Sequence, residues 1–139
     1  IMMSKAQHEE LTKKLWNNEL YCKSRSAHKV YQFMQFTDAE NNPLEGQQVR
    51  REDEKLRPMG SPGFDESTAR IVIYNFKDGV LHSTDDEPAV QYPGHWEYWK
   101  NGVIEKIFAD GGDTEEYWEN GVPVRIETNL AVRRTKDKQ

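Results

Sequence analysis

The chain has few cysteines and no long apolar run. Its 139 residues include one cysteine, Cys22, so neither an intramolecular disulfide nor a zinc site of several cysteines can form. No run of about 18 apolar residues is present, and this predicts no membrane-spanning helix. The first residues also show no apolar segment typical of a secretory signal. These absences predict a cytoplasmic protein that does not contact a membrane.

The common catalytic signatures are missing as well. No glycine-rich phosphate loop occurs, and Gly60-Ser61-Pro62-Gly63 lacks the spacing of a nucleophile elbow. His82, Asp85 and Asp86 fit a polar turn better than a metal or acid–base cluster. We therefore expect a non-enzymatic protein with no cofactor and no metal, and keep an enzyme as the alternative.

Charge is distributed unevenly along the chain, whose net charge is −5. Residues 78–119 contain 11 acidic side chains, two basic ones and no arginine. Such a segment repels nucleic acid, and it predicts an acidic face that would attract a basic protein partner. The chain is polar, with a mean hydropathy of −0.97, but its aromatic content of 11% is typical of a folded domain.

An amphipathic helix is predicted at the N-terminal end. Ser4 and Gln7 have the spacing of a capping box, which begins a helix near Lys5. Leu11, Leu15 and Leu20 then follow along one stripe, up to a predicted end at residues 21–24. This helix packs either on a sheet or on a second copy of the chain, which would give a homo-oligomer.

Residues 30–76 predict strands separated by turns. Residues 30–36 are rich in β-formers and predict a strand, and residues 70–76 predict a buried one. Between them, residues 47–57 are highly charged and indicate either an exposed strand or a mobile loop. Two prolines and two glycines within residues 58–63 predict a boundary between an N-terminal and a C-terminal part.

A short motif recurs in the second half of the chain. Asp78-Gly79-Val80 returns as Asn101-Gly102-Val103 and Asn120-Gly121-Val122, and Tyr-Trp precedes the last two copies. Asn-Gly and Asp-Gly favour type I′ turns, so each copy predicts a β-hairpin. Adjacent Tyr and Trp point to opposite faces of a strand, so one ring enters the core and the other stays at the surface.

Residues 70–128 resemble the MORN-like repeats, in particular the variant form of the YwqK-type antitoxin proteins and of phage proteins. The aromatic pair, the Asn-Gly turn and the segment that includes His82 and Pro88-Ala89 account for the resemblance. Glu87 replaces the glycine of that segment. The resemblance implies an elongated twisted sheet used for binding, and it implies no particular reaction.

The predicted fold class is α+β, with an N-terminal helix followed by a mostly antiparallel sheet of stacked hairpins. Three parts are expected. Residues 1–69 form a helix plus a strand and loop region, residues 70–130 form the hairpin repeats, and residues 131–139 form a basic, flexible tail.

The leading function is a binding protein of phage or mobile-element type that binds or inhibits a host or cognate protein. The contact is expected on an acidic, aromatic-rich sheet face that does not bind nucleic acid directly. The candidate binding residues are Trp96, Glu97, Trp99, Glu115, Glu116 and Trp118.

Two alternatives remain open. One is a binder of a small phosphate-bearing ligand, or an enzyme, with its site between the N-terminal part and the sheet. The candidate residues for that site are His28, Arg50, Arg51, Arg57 and His82, since arginines on a charged loop suit phosphate groups. The other alternative is a structural or assembly protein.

Overall fold

The computed structural model describes residues 4–129, which confirm the predicted α+β class. A helical N-terminal region precedes an eight-stranded antiparallel sheet. The basic tail predicted for residues 131–139 lies outside the described residues. Among residues 4–129, no helix is both long and apolar enough to cross a membrane.

Two short helices replace the single predicted one. Helix α1 spans Lys5–Trp16 and begins with the predicted capping box, in which Ser4 and Gln7 each accept the other's backbone N–H. Helix α2 spans Glu19–Lys23, and the Asn18 side chain caps it by accepting from the Tyr21 N–H at 3.0 Å. Asn18, which caps α2, lies between the two helices and interrupts the predicted apolar stripe of leucines.

The strand predicted for residues 30–36 is wrong. A 3₁₀ helix spans Ala27–Tyr31, capped by the Ser26 side chain, and turns follow it. The Gln32 side chain accepts from the Ile104 N–H at 3.2 Å and donates to the Gly121 carbonyl at 3.1 Å. Long-range contacts of this segment with two hairpins therefore override its β propensity.

Eight strands form the sheet, and their order is β1-β2-β4-β5-β6-β7-β8, with β3 paired to β2. Their bounds are β1 Gly46–Glu52, β2 Arg70–Lys77, β3 Val80–Leu81, β4 Val90–Tyr92, β5 His95–Lys100, β6 Val103–Ala109, β7 Thr114–Glu119 and β8 Val122–Thr128. The predicted strand at residues 70–76 is thus confirmed as β2. The charged segment 47–57 begins as edge strand β1 and continues as a loop.

The segment of residues 58–63 joins two neighbouring strands. β1, which precedes it, pairs with β2, which follows it, over seven residues from Gly46↔Phe76 to Glu52↔Arg70. The sheet therefore continues across the predicted boundary between an N-terminal and a C-terminal part. A buried carboxylate organises the connection, since Asp53 accepts the backbone N–H groups of Lys55, Arg57 and Asp65.

The three predicted hairpin turns are present. Asp78, Asn101 and Asn120 have positive φ, and so does the glycine that follows each of them, as type I′ turns require. The two hairpins β5–β6 and β7–β8 also share a register shift at the same place, between the Tyr and the Trp of each motif. The sequence repeat is therefore a repeat of backbone geometry.

The sheet has two different faces. The covered face lies against the helices and the 3₁₀ helix, and it holds the core, which includes Val72, Leu81, Trp99, Ile104 and Trp118. Leu15 of α1 belongs to the same cluster, and Tyr21 of α2 meets Trp118 edge to face at 5.7 Å. The N-terminal helices therefore pack on the sheet.

Candidate functional site

Within residues 4–129, neither α1, α2 nor the 3₁₀ helix Ala27–Tyr31 packs on the second face of the sheet, which is called the uncovered face. This face carries two rows of side chains in register across the strands. Strand pairing places each residue of a row opposite the next, so the members of a row project from the same side. The first row consists of Ile73, Gln91, Trp96, Phe108, Glu115 and Glu127. The second row consists of Tyr98, Lys106, Tyr117 and Arg125. These side chains are half-buried or exposed, whereas those of the covered face are mostly buried.

The two cations of the second row lie over aromatic rings of both rows. The Lys106 ammonium is 4.4 Å from the centre of the Phe108 ring and 4.9 Å from that of Tyr117. The Arg125 guanidinium is 4.2 Å from the centre of the Tyr117 ring on its other side. Exposed cation–π contacts of this kind contribute about 0.5–1 kcal/mol each, so they order the long side chains on the face.

Aromatic side chains connect the two rows. Trp96 lies directly opposite Phe108, and Tyr98 meets Phe108 edge to face at 5.9 Å. The Tyr117 hydroxyl donates to the Glu115 carboxylate, and Arg125 is 3.2 Å from Glu127. The face therefore combines apolar rings with ionic groups that already have partners within the molecule.

Four of the six predicted binding residues lie on the covered face instead. Glu97, Trp99, Glu116 and Trp118 are buried, with Trp99 only 1% exposed. Trp96 and Glu115 lie on the uncovered face and are half-buried. Within each motif the glutamate and the tryptophan are two residues apart and so share a face, which places both in the core.

The predicted acidic face is not formed. Two of the 11 acidic residues in positions 78–119 are the buried Glu97 and Glu116, and most of the others lie in turns, loops and strand ends. Of this acidic set, only Glu115 lies in the two rows of the uncovered face. The charge is thus spread around the rim of the sheet.

Glu97 is the centre of a buried polar cluster. Its carboxylate accepts from the Ser26 hydroxyl at 2.6 Å, from His95 Nε2 at 2.6 Å and from the Trp99 indole N–H at 2.9 Å. His28 Nδ1 lies 3.4 Å away. Burial raises the pKa of Glu97, but the two histidines outweigh burial and hold this pKa well below its usual range.

A chain of hydrogen bonds and ionic contacts continues from this cluster to the sheet edge. The Tyr74 hydroxyl donates to the buried Glu52 carboxylate at 2.7 Å and lies 3.0 Å from His28 Nε2. Because the hydroxyl has one hydrogen, His28 Nε2 is the donor to the Tyr74 oxygen. Burial and the negative charge of Glu52 raise the pKa of Tyr74 above its usual range. Arg50 ends the chain, with its Nε 3.4 Å from Glu52.

The residues of the predicted ligand site are only partly brought together. His28 and Arg50 belong to the same chain of hydrogen bonds and ionic contacts, but Arg51 projects from the other side of β1 and pairs with Glu66. Arg57 pairs with the buried Asp53 at 2.7 Å, and His82 Nδ1 accepts from the Asn101 N–H at 3.0 Å. Arg51, Arg57 and His82 therefore have local structural partners.

Sequence reasoning missed several residues of the uncovered face. Lys106, Phe108 and Arg125 were not predicted, and the Tyr-Trp pairs left open whether Tyr98 and Tyr117 or the tryptophans lie at the surface. Parity along each strand could have identified the tyrosines, since each alternates with a buried Glu and Trp. The register that places Lys106 and Arg125 beside the rings depends on the register shift in each of the two hairpins, and no feature of the sequence indicates these shifts.

Comparison with family models, with curated proteins and with solved structures found no match to this chain. Within residues 4–129, no group of three or more His, Cys, Asp and Glu side chains is arranged to hold a metal ion.

Proposed function

We propose that this protein is a non-enzymatic binding protein that contacts another protein through the uncovered face of its sheet. The contact is centred on aromatic side chains, with Trp96, Tyr98, Phe108 and Tyr117 as its core. Inhibition of a host or cognate protein stays a prediction within this proposal.

One observation supports the proposal above the others, namely the two in-register rows of half-buried aromatic and cationic side chains. Protein interfaces are enriched in Trp, Tyr, Phe and Arg, and these residue types supply most binding hot spots. The rings lie on paired strands and the cations are held over them, so little side-chain freedom is lost on binding.

The charge pattern supports an aromatic rather than an ionic contact. Among the ionic groups in the two rows, Arg125 pairs with Glu127, Lys106 lies over rings and Glu115 accepts from the Tyr117 hydroxyl. Two of the predicted carboxylates, Glu97 and Glu116, are buried. A contact of this kind weakens little as salt rises, because screening acts mainly on exposed charges.

The experiment is affinity capture from lysate of the source cell or its host, at low and at moderate salt, with identification of bound proteins by mass spectrometry. The test variant is Trp96→Ser combined with Tyr98→Ser. Trp16→Ser is the matched control, because Trp16 is 62% exposed and lies on α1, outside the face.

We expect a stoichiometric partner that binds wild type and the Trp16→Ser control at both salt concentrations. Loss of the two face residues should lower capture by at least about tenfold, since interface hot spots exceed 2 kcal/mol each. Capture of the same partner in the same amount by the face variant would contradict the proposal.

A further inference from the structure

A cavity lies between the N-terminal segment and the covered face of the sheet, near edge strand β1. Its volume is about 230 Å³, and it is lined by Tyr31, Phe36, Leu44, Gln48, Arg50, Tyr74 and Phe76. The uncovered face contributes none of these side chains. A ligand in the cavity would therefore leave the proposed protein contact free.

Aromatic rings form the body of the cavity. Tyr31 meets Phe36 edge to face at 5.0 Å, and Phe36 lies 5.4 Å from Phe76. Tyr74 stacks beside Phe76 at 6.0 Å. An aromatic ring placed among these side chains could adopt the edge-to-face and offset geometries that aromatic pairs prefer.

Tyr74 lines the buried end of the cavity, and its hydroxyl already has hydrogen-bond partners. Tyr74 is 3% exposed, and its hydroxyl bonds to both Glu52 and His28. An apolar group bound beside Tyr74 would therefore leave both hydrogen bonds of this hydroxyl in place.

Arg50 is the one cationic side chain in the cavity lining, and it lies at the opening of the cavity. Arg50 lies on edge strand β1, and its side chain is 48% exposed. Its only ionic contact in the described part of the chain is from Nε to Glu52 at 3.4 Å, and its terminal Nη atoms make no hydrogen bond there. A guanidinium with free terminal N–H groups suits bidentate recognition of a carboxylate.

The volume of the cavity and the charge at its opening restrict the class of ligand further. A volume of about 230 Å³ is below the usual range of about 300–1,000 Å³ for drug-sized ligands. The positive charge at the mouth disfavours the organic cations that aromatic cages bind in other proteins.

We propose that this cavity binds a small aromatic carboxylate, with the ring among Tyr31, Phe36 and Phe76 and the carboxylate on Arg50. Gln48, beside Arg50 at the mouth, is a second donor within the lining.

The experiment is an NMR titration of the full chain with phenylacetate as probe, followed through backbone amide shifts and tyrosine ring signals. Phenylacetamide tests whether the negative charge is needed, and phenyl phosphate tests a phosphate in its place. For a ligand of this size we expect a dissociation constant of roughly 0.1–1 mM.

Two adjacent arginines provide the matched variants. Arg50→Met should weaken phenylacetate binding by about tenfold or more, because a hydrogen bond to a charged group contributes about 1.5–3 kcal/mol. Arg51→Met should leave binding unchanged, since Arg51 projects from the other side of the same strand. Leu44→Phe fills the cavity and should abolish binding while the fold persists.

Shift changes confined to the cavity lining, lost in Arg50→Met and kept in Arg51→Met, would support the proposal. Equal binding of phenylacetamide, unchanged binding in Arg50→Met, or no shift changes at about 10 mM probe would overturn it. Binding of phenyl phosphate about tenfold tighter than phenylacetate would overturn the assignment of a carboxylate.

Discussion

The two copies of the Glu-Tyr-Trp motif have nearly the same sequence and the same strand geometry. In both copies the tryptophan indole donates to the glutamate two residues before it, at 2.9 Å in the first copy and 2.6 Å in the second. In both, the tyrosine projects from the uncovered face. A short repeat thus contributes a buried Glu–Trp pair and an accessible ring at the same time.

The two copies differ in the side chains and backbone groups that contact the glutamate. Glu97 accepts from Ser26 and His95 and also lies beside His28. Glu116 receives, besides the indole, a backbone N–H from Arg25 at 3.5 Å. The glutamate of the motif therefore makes more side-chain contacts at the first hairpin than at the second.

The largest predicted effect separates these two glutamates. Glu97→Ala leaves the buried His95, Ser26 and the Trp99 indole without their acceptor and removes the carboxylate beside His28. We therefore expect the free energy of unfolding to fall by about 3–5 kcal/mol. Glu116→Ala removes fewer partners and should cost about 1–3 kcal/mol. Urea denaturation of both variants measures the difference. Equal losses would show that the extra partners of Glu97 contribute nothing to stability.

The second prediction compares alanine substitutions at two glycines that both have positive φ, Gly79 and Gly46. A Cβ at Gly79 would lie 2.8 Å from the Phe36 carbonyl oxygen and 2.6 Å from Gln35 Cγ, at a φ of +79°. At Gly46, which has nearly the same φ, a Cβ meets nothing within 4 Å. Gly79→Ala should cost about 2–3 kcal/mol and Gly46→Ala about 1 kcal/mol. Thermal unfolding of the pair checks this, and an equal loss would place the strain in φ alone.

The third prediction concerns pH. The folded-state pKa of Glu97 lies below its ordinary value of 4.5, so its contribution to stability is complete above the unfolded-state pKa. It is lost as the pH falls through the folded-state value. Glu97→Gln should therefore reduce the acid-induced loss of stability by on the order of 2 kcal/mol. Melting temperatures between neutral and strongly acidic pH test this, and an unchanged pH profile would contradict it.

The hairpins can be predicted from the sequence because short local motifs specify their turns. Asn-Gly and Asp-Gly specify the three turns, and the capping box specifies where α1 begins. The 3₁₀ helix at Ala27–Tyr31 could not be predicted, because its neighbour Gln32 bonds to two hairpins that lie about 70 and 90 residues away in sequence.

Only part of the candidate site could be predicted from the sequence. Alternation correctly placed one ring of each Tyr-Trp pair in the core, and the structure shows that it is the tryptophan. Glu97 and Glu116 were expected at the surface as part of an acidic binding face, and carboxylates in general seldom lie fully buried. Their burial depends on donors from the N-terminal segment and the indoles, and the sequence does not reveal that these lie close in space.

We propose a division of roles in which the covered face maintains the fold and the uncovered face binds the partner. Ile107 and Phe108 are neighbours on β6 that project from opposite faces, and Ile107 is buried. Ile107→Val should cost about 1 kcal/mol, and thereby lower the melting temperature by a few degrees, because it removes a buried methylene.

The most direct measurement compares affinity capture by wild type, Ile107→Val and Phe108→Ser at a temperature where all three are folded. We predict that Ile107→Val captures as much partner as wild type, although it is less stable. Phe108→Ser should capture about tenfold less. Full capture by Phe108→Ser, or an equal loss in both variants, would contradict the division of roles between the two faces.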